Sequence, residues 1–369
     1  MGKLAIYKYF SFMLLVATVL LAVFTLFALF GGSADPSSNT ALAMLVYVLP
    51  LLIVGNVVML IAWLVQRRWL WLAIPALTLL CCVRYVGTLY NPGWGGSDDH
   101  SKSGLKVATY NVANFGREVS GFKAKDILQE MKRENVEVLC MQEYYDISGD
   151  KLNSDSYKEW FAYMETGRPD MVIYSRYPIL KSGKIDFGKT NNSGVWADID
   201  VSGQTIRVIN VHLETTGINR TFHQAAKKSR QGELVENNAL LKAIFNTYTF
   251  GMANRARQAE IVAKLIGETE LPLIVCGDFN DVPYSYVYET IKGDRLVDGF
   301  RARHLGDIRH GDGAGRQRQQ EEQSHQQSHG QDYSKKRNPP TEVGGSFSRR
   351  GRKAYLAAMT RAISTTLFE

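Results

Sequence analysis

Cysteine is scarce: there are four in 369 residues, too few and too irregularly spaced for a disulfide framework or a cysteine-based metal site. Cys81 and Cys82 are neighbours inside an apolar run. Cys140 and Cys276 each sit in a strand-like apolar stretch, where a free thiol behaves as a small hydrophobe. No internal repeat is present. Charge is missing from the middle of the chain in a different sense. The formal net charge is +7, yet residues 101–300 carry 25 Lys and Arg against 26 Asp and Glu. The surplus belongs to the ends, +2 over residues 1–100 and +6 over residues 301–369. A globally basic nucleic-acid coat is therefore excluded for the central region, whereas a local basic groove is not.

The first long gap in charge lies between Lys8 and Asp35, and it excludes a fully soluble protein. The run from Phe10 to Phe30 is almost wholly apolar, and a helix needs about 20 such residues to cross the hydrocarbon core. A second uncharged stretch runs from Pro36 to Gln66, with Ala41 to Val65 as its apolar body. The third, Trp69 to Val83, is short. It spans only by extending through Tyr90 with Arg84 snorkelling towards the interface, and otherwise lies in the interface. A cleaved signal peptide fits poorly, because the first run is too long and further apolar segments follow it.

Orientation follows from Lys3, Lys8, Arg67 and Arg68, since the 31–40 loop holds only Asp35. With three spans this bias puts the N-terminus inside and the region after Tyr90 outside. The expectation is a multi-pass protein of a bacterial-type inner (plasma) membrane with an extracytoplasmic C-terminal domain. With two spans the domain faces the cytosol.

Residues 91–104 (NPGWGGSDDHSKSG) read as a linker after the anchor of residues 1–90. From Leu105 to about residue 300, strand-like and amphipathic segments alternate, which predicts an α+β or layered α/β domain. LKVATYN, VEVLCMQEY, RPDMVIYSRYPI and PLIVCGDFN read as strands. KAKDILQEMKREN reads as a helix with Ile127, Leu128 and Met131 on one face, and a short helix is expected around residues 286–291. WADIDVSGQTIRVINVHLE reads as a hairpin turning at Ser202-Gly203. Residues 301–369 lack apolar periodicity and are expected to be a disordered basic tail, with 353–368 the one stretch suited to a helix.

Chemistry gathers where the apolar strands stop. Asn111, Gln142 with Glu143, Asn210 with His212, and Asp278 with Asn280 all lie on or just after such strands, and the segment MVIYS gives Ser175 and Arg176. Glu, Asp, Asn and His converging at strand ends suit a hard cation. Mg²⁺ takes one or two carboxylates and keeps waters, leaving room for phosphate oxygens. Taken singly, each residue has a plainer reading: a turn-closing Asn111, a solvated Glu143, a core His212, an Asx turn at Asp278. Arg176 and Arg257 read as structural ion-pair formers, and Asp298 as structural.

TYNVANF, MQEY, SRYPI, NVHLE and VCGDFNDVPYS followed by LVDGF resemble, in order, the motifs of the endonuclease/exonuclease/phosphatase superfamily over about residues 105–300. The resemblance implies a four-layer α/β sandwich with its site at one edge of two packed sheets. It implies Mg²⁺ (or Mn²⁺) held by Glu143 with Asn111 beside it. Asn111 would contact the metal or the phosphate, Asp278 would orient and deprotonate the attacking water, Asn280 would help hold it or the phosphate, and His212 would hydrogen-bond a phosphate oxygen and stabilise the charge developing there. The substrate would be a nucleic acid, a phospholipid head group or a small phosphoester. The bilayer is the other partner, and no obligate protein partner is inferred.

The family's terminal Gly-x-Thr-Tyr-like segment, Arg-Ile-Asp-Tyr-Ile-like strand and Ser-Asp-His are not found, so C-terminal strands are expected to be missing. The role of that Asp-His pair is carried onto none of His304, His310, His325 or His329. An abrupt change of this kind is what a frameshift would leave. The competing readings are a catalytically dead member acting as a binding module and, more weakly, a small transport component.

Overall fold

The computed structural model of the chain describes residues 3–90, 104–116, 123–145, 147–167, 170–190, 192–215, 217, 221, 237–299 and 366–368. The linker expected over 91–104 falls outside these residues apart from Gly104. So does the tail through residue 365, with its four histidines.

Helices α1 (Lys3–Gly31), α2 (Pro36–Met44), α3 (Leu49–Val65) and α4 (Trp69–Leu89) open the chain. Three segments, Ile6–Gly31, Pro36–Val65 and Trp69–Leu89, are long and apolar enough to cross a membrane. The third continues to Leu89, past Arg84, as a span requires. The second is less uniform than its composition suggests. Asp35 caps α2 by accepting the Ser37 N–H at 2.8 Å, and a 3₁₀ turn at Leu45–Val48 separates α2 from α3.

The bundle packs around Ala28, Leu49, Cys82 and Tyr85 but leaves Phe10, Phe30, Leu51 and Val65 66–76% exposed. So large an apolar surface needs a lipid or protein cover. Polar groups turn inward instead. Asn56 donates to Thr25 Oγ1 at 2.7 Å and Trp63 Nε1 to Thr18 Oγ1 at 3.0 Å, tying α3 to α1.

The second region is built on two mixed sheets. One has the order β1 (Val107–Asn111), β2 (Val138–Gln142), β4 (Met171–Ser175), β3 (Tyr163–Thr166). The other runs β5 (Ile179–Ile185), β6 (Gly194–Val201), β7 (Gln204–His212), β8 (Leu273–Asp278), β10 (Thr366–Phe368), β9 (Val297–Asp298). Strands β1 and β2 are parallel, as are β7 and β8, and all other pairs are antiparallel.

Period-two alternation sorts the strand residues between layers. Val138, Cys140, Ile173, Val208 and Cys276 meet between the sheets. Leu139 and Met141 face α5 (Ala124–Arg133) and α6 (Lys151–Trp160), packing on Leu128, Met131 and Tyr157. Ile209, Val211 and Val275 face α7 (Asn237–Gly267) and α8 (Tyr286–Lys292), packing on Val262 and Ile291. The result is the four-layer sandwich expected from the motifs. Each fully buried side chain of this size contributes roughly 1.5–3 kcal/mol, and slipping one strand by a residue would turn its whole set outward. Register is therefore fixed.

Several elements escape the sequence reading: α6, β3 and β5. The hairpin turns where expected, with Ser202 and Gly203 both at positive φ, 55° and 93°. From the tail the described residues hold one strand, β10, paired antiparallel between β8 and β9. Residues 366–368 are thus strand, not the end of a helix over 353–368. Asp298 is structural, accepting the buried Tyr288 hydroxyl at 2.7 Å.

Gly277 sits opposite Val211 in the parallel β7–β8 pair. At φ 139° a Cβ there would lie 1.9 Å from the Val211 carbonyl oxygen, whereas a Cβ on Gly203 would meet nothing within 4 Å. Gly277→Ala is expected to destabilise the domain by more than about 4 kcal/mol and Gly203→Ala by roughly 1 kcal/mol. Thermal unfolding of the full-length protein in detergent checks this. The two variants melting together would contradict it.

Candidate active site

The parallel pairing of β1 with β2 sets Asn111 opposite Gln142, and that of β7 with β8 sets His212 opposite Asp278. All four lie at the same edge of the sandwich. The Asn111 side-chain nitrogen donates to Glu143 Oε1 and to Asp278 Oδ2, each at 3.0 Å, while its oxygen accepts the Ala113 N–H at 3.1 Å. One amide thus joins carboxylates from strands in different sheets. The chain turns sharply at both places: Glu143 has φ 51° and Asn280 φ 50°. Non-glycine residues pay conformationally for such angles, and these two follow directly on β2 and β8.

Asn280 acts as a brace. Its backbone N–H donates to Asp278 Oδ1 at 3.0 Å and its side chain to the Leu213 carbonyl at 2.9 Å. Beneath the carboxylates lies a buried polar floor. Gln142 donates to Asn210 Oδ1 at 2.6 Å and to Thr109 Oγ1 at 3.0 Å. Asn210 donates to the Met141 and Val172 carbonyls at 3.0 and 3.1 Å. These amides are consumed in joining the two sheets, a structural role that the sequence leaves open for Asn210 and Gln142.

His212 is 6% exposed. Its Nε2 lies 4.0 Å from Glu143 Oε1 and its Nδ1 3.6 Å from Asp170 Oδ2. Burial alone would favour the neutral ring. The negative charges of Asp170, Asp278 and Glu143 around the ring outweigh burial, and its pKa is raised above its ordinary 6.5.

Asp170 is the site residue that sequence reasoning missed. It precedes β4, which runs antiparallel to β2 and pairs Gln142 with Met171 and Val138 with Ser175. The start of β4 is therefore at the site, and its end is not. Ser175 and Arg176, grouped with the site on sequence alone, stand at the opposite end of the sheet. Arg176 stacks on Trp160 at 4.7 Å, and Ser175 donates to the Tyr177 carbonyl. Asp170 is held by Ser193 Oγ at 3.1 Å and by its own carbonyl, which accepts the Tyr144 N–H. The signal available was an Asp opening an apolar strand; its use required knowing the strand's direction. Arg257 donates to the Phe187 carbonyl, and the buried, ion-paired arginine is Arg255, on Asp281 at 3.2 Å.

Among the described residues no Lys or Arg pairs with Glu143, Asp170 or Asp278. Three carboxylates therefore face one imidazole, a negative surplus that a divalent cation would offset. Among the described residues no group of three or more His, Cys, Asp or Glu side chains is arranged to hold a metal ion. A donor set of two joined carboxylates with Glu143 40% exposed matches the sparse ligation of Mg²⁺ rather than the closed sites of structural zinc.

The raised pKa carries a sign. Charged His212 stabilises the fold fully below the ring's ordinary titration range, and that contribution is lost as pH rises through the raised value. Asp170→Asn is expected to lower the His212 pKa, and to reduce thermal stability in mildly acidic buffer more than in alkaline buffer. Histidine ring NMR and melting curves with chelator present check this. An unmoved pKa would mean that Asp170 does not hold the ring.

Residues 108–349 match the family model described as the Endonuclease/Exonuclease/phosphatase family, and residues 11–89 match one described as a domain of unknown function (DUF8431). The first match runs past Phe300, where the recognisable motifs end. No curated protein matches the chain. Solved structures similar to it include a humanized TDP2 from D. rerio (16% identity, 53% of this chain and 74% of that one, TM-score 0.36). Others are sphingomyelinase C from Streptomyces griseocarneus (15%, 52% and 70%, TM-score 0.36) and the mannosyl-6-phosphatase Bt3783 from Bacteroides thetaiotaomicron (15%, 53% and 73%, TM-score 0.34). With two-thirds of its length matched and the motif-bearing strand ends gathered at one edge, the chain belongs to the endonuclease/exonuclease/phosphatase family.

Proposed function

We propose that the protein is a membrane-anchored, divalent-metal-dependent phosphoesterase that hydrolyses a P–O ester bond by in-line attack of water. The observation that carries this reading is the Asn111 amide joining Glu143 to Asp278, with His212 set against Glu143 and Asp170. Glu143 would hold Mg²⁺ (or Mn²⁺) with Asn111 beside it. When bound, the cation would polarise a phosphoryl oxygen and offset its charge.

The chain's own groups supply the rest. Asp278, fixed by Asn111 and by the Asn280 N–H, is placed to orient a water and accept its proton as the P–O bond forms. His212, whose acidic neighbours favour the protonated ring, would donate a hydrogen bond towards a phosphate oxygen as negative charge builds there. The ester oxygen departs on the side opposite the water, and no covalent enzyme intermediate is needed.

Orientation is part of the proposal. Tyr7 and Ser11 of α1 each lie 3.4 Å from Gln66, so Lys3, Lys8, Arg67 and Arg68 share one end of the bundle. The domain packs at the other end, through Tyr284 against Leu29 and Leu49. Positive charge at the first end supports a cytoplasmic N-terminus and an extracytoplasmic site.

Full-length protein in detergent is expected to hydrolyse bis(p-nitrophenyl) phosphate with Mg²⁺ and not with chelator. Asp278→Asn is expected to lower kcat by about 10²–10⁴-fold. Glu143→Gln is expected to weaken the Mg²⁺-dependent gain in thermal stability. Hydrolysis indifferent to Asp278 would overturn the reading. Stabilisation by Mg²⁺ without any hydrolysis would point to a binding module instead. Alkaline phosphatase fused after Tyr90 is expected to be active, and a fluorescent cytosolic reporter at that position dark.

A further inference from the structure

The GDFN motif is followed at once by Asp281, whose carboxylate is buried and 4% exposed. A buried carboxylate needs partners on both oxygens, and it has them from two different parts of the molecule. Arg255 of α7 donates through Nε to Oδ2 at 3.2 Å. Tyr47, in the 3₁₀ turn between α2 and α3 of the anchor, donates through its hydroxyl to Oδ1 at 2.6 Å. The same oxygen accepts the Val282 N–H at 2.9 Å.

Arg255 passes the restraint towards the site. It is fully buried, and its Nη1 donates to the Glu214 carbonyl at 3.1 Å. One turn along α7, Gln258 accepts the Glu214 N–H at 2.8 Å. Glu214 lies two residues beyond His212, and the intervening Leu213 accepts from Asn280 and donates its N–H to the Asp278 carbonyl at 2.9 Å. Tyr47, Asp281, Arg255 and the 212–214 segment thus form one hydrogen-bonded chain ending on the groups of the site.

A second post stands beside the first. Tyr85 of α4 meets the edge of Tyr284 at 5.5 Å, and Tyr284 is held at φ 67°. Next to this post a cavity of about 430 Å³, lined by Phe30, Arg84, Tyr284 and Lys292 among others, separates the ends of α1 and α4 from α8. Loop 281–284 is therefore gripped at points.

From this geometry we infer that Tyr47 is a positioning residue for the active site. The membrane anchor, through the Tyr47 hydroxyl, orders the loop that fixes Asp278 and Asn280. The inference rests on the phosphoesterase reading for its kinetic consequence and not for its structural one. Tyr47→Phe removes one hydroxyl, leaves the ring edge against Tyr248 (5.8 Å) in place, and exposes no new surface. A Tyr7→Phe variant removes a hydroxyl at the far end of the anchor and serves as control.

In full-length protein in nanodiscs, Tyr47→Phe is expected to lower kcat for bis(p-nitrophenyl) phosphate about tenfold with KM unchanged, since misplacement of catalytic groups acts on the transition state. Amide hydrogen exchange over residues 278–284 is expected to quicken about tenfold, that of β2 to stay as it is, and Tyr7→Phe to change neither. Wild-type protein that hydrolyses nothing removes the functional reading, while exchange still decides the clamp. Exchange over 278–284 unchanged in Tyr47→Phe, or quickened equally in Tyr7→Phe, overturns the inference.

Discussion

Three carboxylates that repel one another are held together where strands of two sheets end, and the rest of the site exists to make that tolerable. Water would separate Glu143, Asp170 and Asp278 at little cost, but a partly desolvated edge strengthens every charge–charge term. The fold answers with donors. The Asn111 amide bridges Glu143 and Asp278, the Asn280 N–H donates to the other oxygen of Asp278, and His212 lies between Asp170 and Glu143. What remains among the described residues is a negative surplus fixed in place by the fold. Preorganised charge of this kind favours a cation without rearrangement, because the reorganisation has been met during folding.

That folding cost is visible in the backbone. Glu143 and Asn280 adopt left-handed angles directly after buried strands, and Gly277 approaches β7 so closely that no side chain fits. Strain at three positions around one cluster is affordable only because the layers on either side over-determine the strand ends. Val138, Cys140, Val208 and Cys276 are wholly buried between the sheets. The polar floor of Gln142 and Asn210 then fixes how the sheets sit on one another, since their amides have no alternative partners at that depth.

Much of this was legible in the sequence, and the failures share one cause. Alternation within VLCMQ and RVINVH assigns Gln142, Asn210 and His212 to the same face as the core, and the GDFN turn places Asp278 at a strand end. Asn111, Glu143, His212 and Asp278 accordingly come together. Direction is what periodicity cannot carry. MVIYS reads identically whether β4 runs with β2 or against it, so Ser175 and Arg176 were grouped with a site to which Asp170 belongs. Elements β3 and β5 were equally invisible, because ILKSGKI and YMET lie at sheet edges where exposed positions outnumber buried ones. Contact between anchor and domain could not be read either: Tyr47 and Asp281 are 234 residues apart, and neither looks unusual where it stands.

The last strand shows how composition alone misleads about a terminus. Residues 366–368 close a segment that reads as helical, in a tail otherwise poor in apolar residues, yet they pair with β8, Thr366 opposite Cys276 and Phe368 opposite Ile274. An interior strand such as β8 needs a partner on both edges, or its backbone groups are left to other chains. On its other edge β8 is held by β7 from Leu273 to Asp278, and just beyond β7 Leu213 donates to the Asp278 carbonyl. The strand carrying the aspartate is thus paired on both edges from Ile274 to Cys276, and its tip is tied to the segment that follows β7.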